Sequence, residues 1–152
     1  MASQSHIFYR MFSKAESKKL REDFWIAFGK SYPRKWILYN TKVKALVFKF
    51  HFDLTKAMVS IDIETEDLER RITLWEKFQS LQSLLQSEEY LPKAVFDEIF
   101  FLSNGKEISR IYVTLENVSI HNKNTWQETM IFLSQQMGQV EVFFEDFKEI
   151  LE

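Results

Sequence analysis

The chain has 152 residues, a net charge of −2 at neutral pH, 45% hydrophobic and 28% charged residues, and no cysteine. That length suits one domain with a real core, and the missing cysteine excludes disulfides, thiolate metal sites, iron–sulfur clusters and a cysteine nucleophile. Average usage would give about eleven glycines and eight prolines; with 3 and 2, phosphate-cradling loops, dinucleotide fingerprints and nucleophile elbows are excluded, and few, long, regular elements are expected.

No stretch approaches the roughly 18 to 20 continuous apolar residues of a membrane-spanning helix, and the polar start lacks the features of a secretory signal. A soluble, cytoplasmic protein with no membrane contact is the expectation. The excess lies in rings: 15 Phe, 5 Tyr and 4 Trp.

Ser13 followed by Glu16 has the spacing of a capping box, in which each side chain satisfies the other's orphan N–H. A helix is predicted from Lys14 to Ser31, with Leu20, Phe24, Ala27 and Phe28 as its apolar stripe, ended by Pro33. From Val43 to Phe52 the alternation is that of a half-buried strand, with Leu46, Phe48, Phe50 and Phe52 on one face and Ala45, Val47, Lys49 and His51 on the other. After the turn Asp53–Lys56, Ala57, Val59, Ile61 and Ile63 alternate with Met58, Ser60, Asp62 and Glu64. This is an antiparallel hairpin, and pairing Phe52 with Ala57 sets His51 opposite Met58 and Lys49 opposite Ser60.

Glu66 and Asp67 open a second helix, predicted to reach about Gln86 and to bury Leu68, Ile72, Trp75, Phe78 or Gln79, Leu81 or Gln82, and Leu85. Asn104-Gly105 joins strands Val95–Leu102 and Ile108–Leu115 as a second hairpin. Asn124 with Gln127, or Thr125 with Glu128, offers a capping box for a helix that Gly138 is predicted to end. A last helix carries Val140, Phe143, Phe144, Phe147, Ile150 and Leu151 on one face. The fold class expected is α+β, an antiparallel sheet of two hairpins packed with helices, in the order α-β-β-α-β-β-α-α.

Several runs together resemble a bacterial and archaeal domain-of-unknown-function family, number 4268: Met11 to Lys14, Leu20 to Gly29, Trp36 to Thr41, Ile108 to Tyr112 and Val118 to Trp126. The resemblance spans Met11 to Glu152 and implies a single domain over residues 11–152, with Met1 to Arg10 as an extension or a misassigned start. It implies no catalytic residue and no cofactor, because the family has no established activity. Relatives occur as small cytosolic proteins and fused behind restriction-endonuclease-like regions. Many have a tryptophan-rich third strand where this chain has Phe96, Ile99, Phe100 and Phe101.

Three sets of residues carry candidate chemistry. Asp62 and Glu64, alternate residues on a strand, point to one face and could hold a divalent metal, as in a degenerate nuclease. The acid-x-lysine pattern of restriction-like nucleases is incomplete, since position 66 is Glu66, and solvated charge at a strand end is the plainer reading. The histidines, His6, His51 and His121, share no metal-ligand spacing; His51 draws interest for its nearness to Lys49 and Asp62. Arg110 is expected to pair with Glu98 or with an acid of the second helix.

The third set is electrostatic. Residues 1–60 hold 12 Lys and Arg against 4 Asp and Glu, or +8; residues 61–152 hold 8 against 18, or −10. Rings interleave with the cations in the basic part, where Lys30, Arg34, Lys35, Trp36, Tyr39, Lys42, Lys44 and Lys49 form a candidate nucleic-acid surface of the kind that pairs phosphates with cations and bases with rings. Alternatively, Trp36 and Tyr39 belong to the core and the two halves neutralise each other. The first expectation is therefore a non-catalytic interaction or accessory domain that docks a protein partner or a second copy through an aromatic patch. A nucleic-acid-binding accessory module comes next, and a degenerate metal-dependent nuclease third.

Overall fold

The structure, a computed structural model, describes residues 12–152. The extension Met1–Arg10, and His6 with it, lies outside the described residues. The first helix, α1 (Lys14–Ser31), starts on the expected capping box: Ser13 Oγ accepts from the Glu16 N–H at 3.1 Å, and the Glu16 carboxylate accepts from the Ser13 N–H. It stops two residues before Pro33, whose ring biases the preceding residue away from helical angles.

The first hairpin, β1 (Leu46–Phe52) and β2 (Lys56–Ile63), has the register expected from its alternation, with Phe52 opposite Ala57, His51 opposite Met58 and Lys49 opposite Ser60. Asp53 sets the turn by accepting from the N–H groups of Thr55 and Lys56. The first strand begins three residues later than expected. Lys42 and Ala45 take left-handed φ angles of 63° and 76°, which interrupt an extended chain.

Next, α2 (Leu68–Ser80) is capped by Asp67, which accepts from the Arg70 N–H. The single helix expected to Gln86 is broken at Leu81, and a separate short turn of helix, α3 (Gln82–Leu85), follows. Of the expected buried side, Trp75, Phe78, Leu81 and Leu85 are buried, and the departure is confined to the first turns of α2. Arg71, Leu74, Trp75 and Phe78 are buried, while Leu68 and Ile72 remain 56% and 41% exposed. Arg71 takes an inward place there: its guanidinium bonds the Glu107 carbonyl at 3.0 Å and the Glu107 carboxylate, which keeps its charged head partnered while its stem is buried.

The second hairpin comprises β3 (Val95–Phe101) and β4 (Glu107–Glu116), and Gly105 supplies the left-handed residue of its turn. A bulge between Asp97 and Phe100 sets two residues opposite one. The two hairpins join through β2 and β4 into one antiparallel sheet of order β1-β2-β4-β3, confirming the α+β class.

A 3₁₀ turn at Lys123–Thr125 leads into α4 (Trp126–Leu151), one helix of 26 residues that runs straight through Gly138. The expected helix end at Gly138 is therefore wrong. Met137 and Val140 are both buried, so the packed stripe continues across the glycine and keeps the backbone helical. The expected capping box is also unformed: Thr125 Oγ1 donates instead to carbonyls of the preceding loop. Ile150, assigned to the buried face, is exposed.

The helices cover one face of the sheet. Phe24 packs edge-on against Phe52 and Trp126, Phe48 against Phe144, and Trp75 against Phe96. Burying each such ring contributes about 1.5–3 kcal/mol. Among the described residues no helix is long and apolar enough to cross a membrane.

Candidate functional site

The polar face of the sheet places Asp62 away from solvent. Asp62 lies opposite Arg110 in the ladder, and Arg110 Nε and Nη2 donate to its two carboxylate oxygens, each at 2.8 Å. Asp62 is 0% exposed, so the reading of it as a solvated strand-end acid is corrected. The expected partner of Arg110, Glu98 or an acid of the second helix, is corrected too: strand order puts β2, not a helix, beside β4. The Phe100 ring covers the guanidinium, 4.3 Å from ring centroid to Cζ.

Lys49 reaches the same place from β1, pairing with Glu64 and lying 3.5 Å from Asp62. Its burial opposes the charged form, but the Glu64 hydrogen bond with the charges of Asp62 and Glu64 outweighs this and raises its pKa. The carboxylates proposed for a metal thus face an arginine and a lysine. Among the described residues no group of three or more histidines and carboxylates converges on a point.

His51 lies beside this network. Its Nε2 shares a 2.8 Å hydrogen bond with Ser60 Oγ, and Ser60 is fully buried. Burial first, then the Arg110 charge, push the pKa of His51 down to about 4, so it is neutral at physiological pH. His121 is buried on the other side of the fold, and the two do not meet.

The basic segment forms a loop between α1 and β1. Leu38, Lys42 and Ala45 all have left-handed φ angles, 47°, 63° and 76°, within eight residues and without a glycine. Such conformations cost of order 1–3 kcal/mol each and persist only where the surroundings over-determine them. Two anchors do so here. Glu141, buried on α4, accepts from the Ile37 N–H at 2.7 Å and pairs with Arg34, while buried Thr41 donates to the Leu46 carbonyl at 2.8 Å. The Phe48 N–H donates to the Leu38 carbonyl at 3.0 Å, tying the loop to the outer edge of β1.

The eight basic and aromatic residues divide accordingly. Trp36 is half-buried against Phe28 and Phe50, and Arg34 stacks on it at 3.8 Å. Lys35 and Lys42 line one recess of about 380 Å³ with Trp36, Ile37 and Asn40. Tyr39, 67% exposed, lines a second recess of about 330 Å³ that Lys49 also borders. Lys30 and Lys44 are exposed but line neither recess, and the Lys44 carbonyl accepts from Arg70 of α2. Lys30, Lys35, Lys42 and Lys44 have no carboxylate partner among the described residues. Sequence reasoning missed Thr41 and Glu141 as the anchors of this loop; a lone glutamate on the apolar side of a helix stripe, four residues after Met137, was the available signal.

The sequence model of a family described as a domain of unknown function, DUF4268, matches residues 20–148. No curated protein and no solved structure matches the chain.

Proposed function

The chain belongs to the DUF4268 family of domains of unknown function, and from that premise we propose that it is a non-catalytic accessory module that binds nucleic acid through the loop between α1 and β1. The observation that carries this reading is the pair Lys35 and Lys42. They share a recess, lack carboxylate partners among the described residues and sit on a backbone held in three strained conformations beside exposed Tyr39. Strain maintained at that cost on a surface loop is expected where the loop contacts a ligand. Unpaired lysines held on a fixed frame neutralise phosphates and release counterions. The engagement of both Asp62 oxygens by Arg110 supports a binding role over metal-dependent cleavage.

Fluorescence anisotropy with labelled oligonucleotides at low salt tests the reading. With two or three phosphates neutralised, log K is expected to fall with log salt at a slope of about −1.4 to −2 for single strands. Charge reversal in Lys35→Glu/Lys42→Glu is expected to weaken binding at least tenfold. No binding by the wild-type protein at micromolar concentration sinks the proposal.

A second reading has its own observation. Ile99 and Phe101 of β3 are 58% and 63% exposed on an outer strand, and Leu68 and Ile72 of α2 are exposed as well. This favours a protein contact there, with another protein or with a second copy. Light scattering during size exclusion separates the two, since a second copy doubles the mass at high concentration and Phe101→Lys restores the monomer.

A further inference from the structure

We propose that the recess along the free edge of β1 takes one unstacked base of a single-stranded nucleic acid, so that this protein selects single strands over duplex. The inference rests on the binding role proposed above and adds what the lysines alone do not supply, a means of discrimination.

The recess is bordered by Trp25, Leu38, Tyr39, Lys49, Phe50 and His51, and its volume of about 330 Å³ lies at the lower end of the range for small-molecule sites. Its floor has a property that follows from the ladder. β1 is an edge strand, and the Phe48 N–H points outward, to the Leu38 carbonyl. In an antiparallel pair, residues two apart direct their backbone groups the same way, so the N–H and C=O of Phe50 also point outward, beyond the reach of the loop. Among the described residues neither group has a hydrogen-bond partner. A donor and an acceptor a few ångströms apart, set between rings, match the donor and acceptor edge of a nucleobase. An apolar side chain of a protein partner would leave both unsatisfied.

The walls fit the same occupant. The exposed Tyr39 ring offers a stacking face, and Trp25 packs against Phe50 within 6.2 Å. His51 uses Nε2 on Ser60, and its Nδ1 has no partner among the described residues. A neutral imidazole there bonds a base without demanding a counter-charge. Lys35 and Lys42 line the other recess of the same loop, so the segment that carries Tyr39 also carries cations for the phosphates. In a duplex the base faces are stacked and the pairing edges occupied, and only a splayed strand can present either to the recess.

The test uses the full chain with labelled oligothymidylate, oligoadenylate and a duplex of equal length, comparing wild type, Tyr39→Ala, Tyr39→Phe and Lys35→Glu/Lys42→Glu. Tyr39→Ala is expected to lower single-strand affinity roughly 5- to 150-fold, the range for loss of one base–aromatic stack, and to leave duplex binding unchanged. Tyr39→Phe keeps the stack and the affinity, and the lysine pair weakens both ligands. Equal binding of single strand and duplex by the wild type, or an equal loss on both in Tyr39→Ala, overturns the recess while leaving the binding role in place. Binding to neither overturns both. Because Tyr39 is largely exposed, thermal melts of its variants should match wild type, which separates lost affinity from lost fold.

Discussion

Arg110 and Asp62 form a bidentate ion pair across β2 and β4, on the face of the sheet that also carries Lys49, His51 and Tyr112. A charge pair this deeply buried persists because Lys49, Phe100 and the Met58 sulfur complete its surroundings. Removing one partner strands the other charge out of water. Asp62→Ala is accordingly expected to destabilise the fold by about 3–5 kcal/mol, whereas Asp62→Leu with Arg110→Met costs far less, since neither charge is then left alone. Urea denaturation of the three proteins checks this; a double variant as unstable as the single one counts against it.

His51 makes stability depend on pH. Its pKa is about 4 in the fold and near 6.5 unfolded, so between those values the unfolded chain binds the extra proton. Stability therefore falls as pH drops from about 6.5 toward 4, by up to about 3 kcal/mol from this group. His51→Gln keeps a hydrogen-bonding group for Ser60 but has no proton to gain. In denaturant melts at pH 7, 5.5 and 4.5, the loss of midpoint on acidification is expected to be smaller for the variant than for wild type.

Gly138 lies in the interior of α4, and a Cβ placed there meets no atom within 4 Å. Gly138→Ala removes backbone freedom from the unfolded chain at no steric cost. It is expected to stabilise the protein by about 0.5–1 kcal/mol, raising the melting temperature by about 1–4 °C in calorimetry.

Glu141 holds the basic loop through the Ile37 N–H and Arg34. Glu141→Ala leaves that amide without its acceptor, with an expected cost of about 1–3 kcal/mol. The more telling readout is local. Hydrogen exchange at Ile37 and its neighbours should quicken well beyond that of the β2 amides, and Glu141→Gln should restore part of the protection.

The parts of this fold legible in the sequence are those set by local periodicity. Both hairpins were, because alternation and turn chemistry fix a register within one strand pair: Phe52 does face Ala57, and Gly105 does turn the second hairpin. The partner of Arg110 was not, since it depends on β2 lying beside β4, a pairing of strands 48 residues apart that no local pattern encodes. Leu68 and Ile72, in the first turns of α2, were misjudged for a related reason, although Trp75 and Phe78 are buried as expected. Arg71 is a polar residue by type but a buried stem in place, so it outcompetes Leu68 and Ile72 for the inside. Gly138 misled because a glycine is the usual mark of a helix end, although the spacing of Leu133, Met137, Val140 and Phe144 already ran through it without a break. At the candidate site, the clustering of lysines with Tyr39 was legible. Its rigidity was not, because left-handed angles at Leu38, Lys42 and Ala45 are imposed by distant anchors rather than by their own side chains.

The bulge in β3 has a consequence for how the protein behaves in a crowded solution. An outer strand bearing Ile99 and Phe101 would otherwise be a template on which further strands could add without limit, the route to fibrils. The irregularity between Asp97 and Phe100 falls in the middle of a seven-residue strand, so no run of evenly spaced backbone groups is long enough to seed in-register growth. The apolar side chains stay available for a single specific contact, while repetition is blocked at the level of the backbone.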